Sequence, residues 1–535
     1  MRSLGMVCLC ALFALAVAAC SNDPNPVDYP SLGSLVADDG RGSFRFGVAT
    51  AATQIEDQNE NTDWYIYTLP EEDGGLGNGG GFVGDAAGGF TRAIDDVDLI
   101  EDMNLDSYRF SISWARIEPQ RDVIDEAAIA HYSDLIDELL ARGIKPMITM
   151  HHFSNPVWVA DPRDNGCGGG PTDENLCGLG HPEGGPLVIE EMAEHAALLA
   201  ERFGDRVDEW ATLNEPVNYL IAGYLVAFFP PGQFNIARFE DRFVPVVRDY
   251  LAAHAAMYRA IKTADTIDAD DDGEPAAVGL TLSVIDWVAA RDNRISADPE
   301  DIAARDRVDY AYHFLVADSL LNGTFDPDFD GVGDEPQPDW AGTLDWLGVQ
   351  YYFRTGVTAE RPIIPVLEAV PCFGGFDFGS CVAALDPTTC VPEMAYEYYA
   401  PGLGRLLGEY NERYPGLPMI VSEGGIATEI GARRAENVVR SLEQIQQARD
   451  AGADVRGYYH WSLTDNFEWA EGFGPRFGLY TVDYSDFSRA PTEGATVLGE
   501  IAGARQLTSA QRQRYGGEGP MTDEPHDYAT PGFCQ

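Results

Sequence analysis

Two glutamates, Glu215 and Glu423, each close a short apolar run. The first run is Trp210-Ala211-Thr212-Leu213-Asn214-Glu215-Pro216. Proline cannot continue a central strand, so the strand stops there with Glu215 at its exit. The second is Pro418-Met419-Ile420-Val421-Ser422-Glu423-Gly424-Gly425, where two glycines turn the chain after the carboxylate. Two carboxylates at the exits of two buried strands are what glycosidic bond hydrolysis needs. Two other acidic stretches suggest different chemistry. Asp268-Ala269-Asp270-Asp271-Asp272-Gly273 and Asp326-Pro327-Asp328-Phe329-Asp330-Gly331 both fit Asp-x-Asp-x-Asp-Gly. Alternate carboxylates before a turning glycine resemble the start of a calcium loop, which makes Asp268, Asp270, Asp272, Asp326, Asp328 and Asp330 candidate structural ligands without a catalytic role. Neither loop has Glu at its twelfth position, where Gly279 and Gln337 stand, and solvated acidic turns are the competing reading.

The elements that must position the glutamates alternate strand and helix. Strands are expected at 46–50, 107–111, 146–150, 210–214, 278–282, 347–351, 419–422 and 458–462. Between them, 95–103 and 131–140 put their apolar residues on one face, the latter ended by Gly143, and 187–203 and 434–451 read the same way. Eight strands alternating with helices predict a single α/β domain, a (β/α)8 TIM barrel with long βα-loop insertions. Glu215 then ends the fourth strand and Glu423 the seventh, both on the C-terminal face. Insertions fall at 70–89, 161–185 and 361–391. The expected organisation is 1–19 signal peptide, 20–40 tether, 41–510 barrel and 511–535 C-terminal tail.

Composition narrows the partners. The 535 residues are 45% hydrophobic, with 87 Asp and Glu against 35 Lys and Arg, a formal charge of -52. Such a chain repels a phosphate backbone and carries no polybasic membrane patch, so nucleic acid is excluded as a partner. Arg2 and a short apolar stretch from Met6 to Ala19 form an export signal, too short for a comfortable membrane span. Leu15-Ala16-Val17-Ala18-Ala19-Cys20 resembles a bacterial lipobox. That resemblance implies cleavage before Cys20, lipidation of its sulfur and a cell-envelope lipoprotein attached to the membrane only through this anchor; the alternative is an ordinary signal peptide and a secreted or periplasmic protein. Six cysteines remain in the exported part: Cys167, Cys177, Cys372, Cys381, Cys390 and Cys534. An even count in an exported chain suggests up to three disulfides. Cys167 with Cys177 would close a loop locally, and Cys534 is expected to take one of the other three and pin the tail.

Five stretches in order carry a resemblance to glycoside hydrolase family 1, the β-glucosidase family, over roughly 43–505. They are Phe46-Gly47-Val48-Ala49-Thr50-Ala51-Ala52-Thr53-Gln54-Ile55-Glu56, Tyr108-Arg109-Phe110-Ser111-Ile112-Ser113-Trp114-Ala115-Arg116-Ile117, Thr212-Leu213-Asn214-Glu215-Pro216, Val421-Ser422-Glu423-Gly424-Gly425 and Trp461-Ser462-Leu463-Thr464-Asp465-Asn466-Phe467-Glu468-Trp469. The resemblance implies Glu215 as general acid/base and Glu423 as nucleophile. It implies Arg109, Asn214 and Tyr352 as catalytic supports, Arg109 and Tyr352 acting on Glu423, and Gln54, His152, Asn214, Trp461, Glu468 and Trp469 as sugar contacts. A retaining enzyme needs its carboxyl groups ~5–5.5 Å apart, one protonated and one ionised. No cofactor is implied for the chemistry. Glu468 stands where phosphoglycosidase relatives carry Ser, and its charge would repel a phosphate, so uncharged β-linked oligosaccharides or aryl and alkyl β-glycosides are the expected partners. The chain departs from the family pattern at Gly424 (usually Asn), Gln350 (Asn), Phe153 (Trp) and Gly88-Gly89 (Asp-His). The expected activity is a retaining exo-acting β-glucosidase. Alternatives are a β-galactosidase, β-fucosidase or transglycosidase of the same family, or an inactive carbohydrate-binding surface protein.

Overall fold

The computed structural model describes residues 24–364, 366–373 and 377–524. Eight strands carry the site: β1 (Arg45–Ala49), β2 (Ser107–Ser111), β3 (Lys145–His151), β4 (Glu209–Asn214), β5 (Ala277–Arg291), β6 (Trp346–Thr358), β7 (Met419–Gly424) and β8 (Val455–Trp461). Every neighbouring pair is parallel, and β8 returns to β1, so the sheet closes into the expected barrel. All residues of β1, β2, β4, β7 and β8 are buried, as parallel strands covered on both faces must be.

The outer helices follow their apolar stripes. Among them are α1 (Ala93–Asp102), α2 (Glu126–Ala141), α3 (Gly184–Phe203), α4 (Val244–Ala264), α5 (Pro299–Asp309), α6 (Leu315–Asn322), α7 (Ala400–Arg413), α8 (Gly431–Asp450) and α9 (Glu493–Ala504). In α2, Ala128, Tyr132, Leu135, Ile136 and Leu139 face inward, Asp125 caps the first turn, and the chain leaves through Gly143 at φ 73°. Strands β5 and β6 run well past their expected ends at 282 and 351, pairing as far as Ala289 and Val357 beyond the barrel rim. The apolar run continuing through Trp287, Ala289 and Ala290 keeps this extension buried.

The stretch 20–40 is not a tether over its described part. Val27 and Asp28 pair with Leu507 and Gln506. Leu35, fully buried, packs on Met147, Ala211, Ala277, Trp346, Ile420 and Tyr459, residues of β3 to β8 that face the barrel axis at its N-terminal end. An apolar plug seals that mouth, which a free linker would leave wet. The described part of the tail is also packed. Arg440 of α8 donates to the Gly519 and Pro520 carbonyls, and Glu436 accepts from the Thr522 amide. The signal segment and Cys20 lie outside the described residues. Among the described residues no helix is long and apolar enough to cross a membrane.

Cys167 bonds Cys177 as expected, Cys372 bonds Cys381, and Cys390 is also disulfide-bonded. Cys534 lies outside the described residues. The acidic loops differ from their expected ligand sets in one place. Asp268 and Asp270 converge with Asp208, not with Asp272, whose carboxylate is occupied by the Ser34 hydroxyl and the Glu274 amide. Lys145 already pairs with Asp270. Asp326, Asp328 and Asp330 do converge. Leu35→Ala should cost about 2–5 kcal/mol, the usual loss for emptying a packed aliphatic site. It is read as a lower urea midpoint at unchanged slope; an unchanged midpoint would remove 24–40 from the core.

Candidate active site

Four strands bring the site together. Arg109 sits mid-β2, Asn214 ends β4, Tyr352 lies in β6 and Glu423 in β7. The fully buried Arg109 guanidinium donates through Nη1 to Glu423 Oε1 at 2.6 Å and through Nη2 to Asn214 Oδ1 at 2.6 Å. The Tyr352 hydroxyl donates to the other oxygen, Glu423 Oε2, at 2.7 Å. Burial raises the Tyr352 pKa far above its usual value, so this phenol remains a donor. Glu423 therefore has a charge-assisted partner on one oxygen and a phenol on the other.

Glu215 follows Asn214 and is held differently. Its backbone sits at φ 40°, ψ 61°, the left-handed region, and Pro216 immediately starts a short helix, Pro216–Leu220. A non-glycine residue there costs on the order of 1–3 kcal/mol, so the surrounding fold must impose it. Asn218, one turn into that helix, donates to Glu215 Oε2 at 2.9 Å. The Tyr312 hydroxyl in turn donates to Asn218 Oδ1 at 3.1 Å. Burial first, then the negative charge of Glu423, push the Glu215 pKa to about 8, against the pull of Asn218, Ser283 and Arg109. Burial raises Glu423 as well, but Arg109 and Tyr352 favour its anion. Of two facing carboxyls, the one on the guanidinium ionises first and the other keeps its proton.

Of the remaining expected residues, His152, Asn214, Trp461, Glu468 and Trp469 line one cavity with the two glutamates, and buried Gln54 reaches it only through Glu468. Asn214 Oδ1 accepts from Arg109, from the Thr281 hydroxyl at 2.9 Å and from Gln350 Nε2 at 2.8 Å. Three donors on one oxygen fix the amide orientation, so Asn214 Nδ2 donates to His152 Nε2, at 2.9 Å. His152 is kept neutral by burial and by the nearby Arg109 charge, and its proton is on Nδ1, which has no partner among the described residues. Gln54 Nε2 donates to the Phe467 carbonyl at 2.9 Å and reaches Glu468 Oε2 at 3.3 Å, leaving Gln54 Oε1 buried without a donor. Burial, followed by the charges of Glu423, Glu215 and Glu471, raises Glu468 to about 8. Trp461 and Trp469 lie within 5.8 Å of the His152 ring.

The cavity these groups bound has a volume of about 790 Å³. Four of its lining residues, Phe153, Glu215, Phe329 and Trp469, are non-glycines at positive φ (61°, 40°, 55° and 45°). The departures noted in the sequence also find places here. Gln350 joins the Arg109–Asn214 network, and Phe153 stacks on Tyr219 with ring centroids 6.0 Å apart. A Cβ on Gly424 would stand 3.3 Å from the Tyr458 ring, and one on Gly425 only 2.1 Å from the Trp461 carbonyl oxygen. Gly425 thus lets two strand exits approach. Sequence reasoning missed Asn218, Thr281, Ser283 and Gln350 as part of this network. Asn218 carried a signal, an amide three residues beyond Glu215 in a helix opened by Pro216; Thr281 and Ser283 carried none beyond their strand.

A wider comparison agrees with this geometry. The family described as "Glycosyl hydrolase family 1" matches residues 38–506. A β-galactosidase of Pyrococcus woesei is 29% identical, the alignment covering 87% of this chain and 97% of that protein. A furostanol glycoside 26-O-beta-glucosidase of Hellenia speciosa is 31% identical over 85% of this chain and 82% of its own length. The solved structure of a beta-glycosidase from Pyrococcus horikoshii superposes with a TM-score of 0.73 at 28% identity, covering 92% of this chain and 98% of that one. With a closed barrel, two opposed glutamates at β4 and β7, and a match over nearly the whole described chain, the protein is a glycoside hydrolase belonging to glycosyl hydrolase family 1.

Proposed function

We propose that the protein is a retaining, exo-acting β-glycosidase that releases terminal nonreducing β-D-glucosyl units by double displacement. The observation that carries this reading is the asymmetry of the two carboxyls: Glu423 clasped by Arg109 and Tyr352, Glu215 buried beside it with its pKa pushed to about 8. Glu423 attacks the anomeric carbon as Glu215 gives its proton to the glycosidic oxygen. The C–O bond breaks and the leaving alcohol departs neutral. Glu215, now a carboxylate, takes a proton from water as that water attacks the glycosyl–Glu423 ester, and the β-configuration returns. Asn214, gripped by three donors, is aimed to hold the 2-hydroxyl, and the unpaired Gln54 Oε1 and His152 Nδ1–H offer an acceptor and a donor to other hydroxyls. Trp461 supplies an apolar face for the ring. The chemistry routes no step through a metal or organic cofactor.

A β-galactoside reading has one specific support, the β-galactosidase relative named above, because Gln54 and Glu468 can bond either configuration of a neighbouring hydroxyl. A panel of aryl β-glucosides, β-galactosides and β-fucosides decides between them. The glucoside is expected to have the highest kcat/KM, and Glu423→Gly to abolish turnover of all three. Cleavage of none by the wild type would leave a carbohydrate-binding protein as the function.

The pH profile follows from the two carboxyls. Activity needs Glu215 protonated, so kcat/KM should fall as pH rises through about 8, and fall on the acid side as Glu423 protonates. The basic limb should persist in Glu468→Gln, although Glu468 also titrates near 8, and vanish in Glu215→Ala assayed with a dinitrophenyl glycoside, whose leaving group needs no acid. Glu215→Ala should lose about 10²–10⁴-fold on an alkyl glycoside. The same raised pKa values predict stability falling with pH. Glu215 and Glu468 bind protons more tightly folded than unfolded, so their contribution is complete below the unfolded carboxyl value and lost as pH passes about 8.

The proposal extends to location: an exported lipoprotein of the cell envelope, anchored through Cys20. Cys20→Ser should move the enzyme from the membrane to the soluble fraction. Wild-type protein already soluble after export would refute the anchor.

A further inference from the structure

The cavity is far larger than a sugar. At roughly 30 Å³ per water-sized group, about 790 Å³ corresponds to on the order of 26 non-hydrogen atoms, and one hexosyl unit takes less than half of that. The space continues from Glu215 past the segment after β4 into the gap between α4 and α6. There its wall is Val247 and Leu251 of α4 with Leu315 and Val316 of α6, all buried. Three π-helical turns shape this arm, Ile221–Leu225, Phe239–Phe243 and Tyr310–Phe314, and each contributes lining residues. Such turns insert an extra residue and occur preferentially at functional sites.

The distribution of charge is as uneven as the shape. In a chain of net charge -52, the only charged lining residues among the described ones are Glu215, Glu423, Glu468 and Glu471. The first three gather where the sugar is read, and Glu471 acts on Glu468. The aliphatic arm has none. Of its nearest polar groups, Asn218, Ser283 and Tyr312 already bond one another or Glu215, and Trp287 Nε1, without a partner among the described residues, offers a single donor. A second sugar ring there would bury hydroxyls without partners, which costs free energy for each one left unpaired. At the open side Phe228, Phe234 and Ile363 are 45%, 68% and 38% exposed while still lining the cavity, so an apolar surface leads in from solvent.

We infer that the glycoside cleaved here carries a bulky apolar aglycone, an alkyl chain or fused-ring alcohol, seated in the arm between α4 and α6. This rests on the retaining β-glycosidase reading and narrows it, setting oligosaccharides aside as preferred substrates. Apolar burial then contributes directly to binding, and the neutral alcohol formed on C–O cleavage leaves by the route lined with Phe228 and Phe234.

The test is a series of n-alkyl β-D-glucosides, methyl to decyl, assayed below their micelle concentrations with cellobiose for comparison. Each added methylene should raise kcat/KM roughly three- to fourfold until the arm is filled, placing octyl glucoside more than a hundredfold above methyl glucoside and above cellobiose. Leu315→Trp, which fills the arm, should flatten the series. A flat wild-type series, or cellobiose preferred over octyl glucoside, overturns the inference. Calorimetric binding of the same series to Glu423→Ala separates the two readings. Affinity that climbs with chain length while the wild type cleaves no glycoside would keep the apolar site and sink the catalytic reading. Affinity independent of chain length would do the reverse.

Discussion

The Arg109 guanidinium is the group on which the site depends. It is fully buried, and its two Nη atoms reach from β2 to Asn214 on β4 and Glu423 on β7. A buried cation is tolerated only when paired and hydrogen-bonded, and removing one partner of such a pair commonly costs about 3–5 kcal/mol. The barrel supplies what this demands. Parallel strands closed on themselves put three side chains from non-adjacent strands around one point at the C-terminal rim. No helix face or single hairpin could do so, because neighbours there come from one local stretch.

From that ion pair the remaining asymmetry follows. One carboxyl is taken by the guanidinium and a phenol, and the other is left with an amide in a dry place. The fold holds Glu215 in the left-handed region to aim it, as it also holds Phe153 and Trp469 on the same wall. These strained residues at the sugar end of the cavity are sustained by the rigidity of the strands and of the plugged N-terminal end, where Leu35 closes the axis. Stability at one end of the barrel thus supports strain at the other.

Charge is partitioned on a larger scale too. The protein carries a large excess of acidic groups, yet among the described residues only four glutamates line the cavity of the site, and most of the rest of its lining is apolar. Carboxylates on the surface are solvated and cost little. Inside, each must have a partner or a proton, and the raised values of Glu215 and Glu468 express that cost.

The sequence by itself determined the barrel, its eight strands, and the residues whose identity is local to a strand exit. Proline after Glu215, glycines after Glu423, and apolar runs before both are short-range constraints that a chain carries wherever it folds. The Cys167–Cys177 bridge was legible for the same reason, ten residues closing one loop. Tertiary structure decided the rest. Leu35 lay in a stretch that reads as linker and became a core plug, because only the closed barrel offers it an apolar mouth. Asp208 displaced Asp272 from an acidic cluster because the barrel bottom faces one and Ser34 takes the other. Gln350, Thr281 and Asn218 became site residues because strands and a helix far apart in sequence converge on two carboxyls. The arm between α4 and α6 was invisible beforehand, since Val247, Leu251, Leu315 and Val316 read as ordinary core stripes, and only packing shows whether a stripe meets a neighbour or leaves a space.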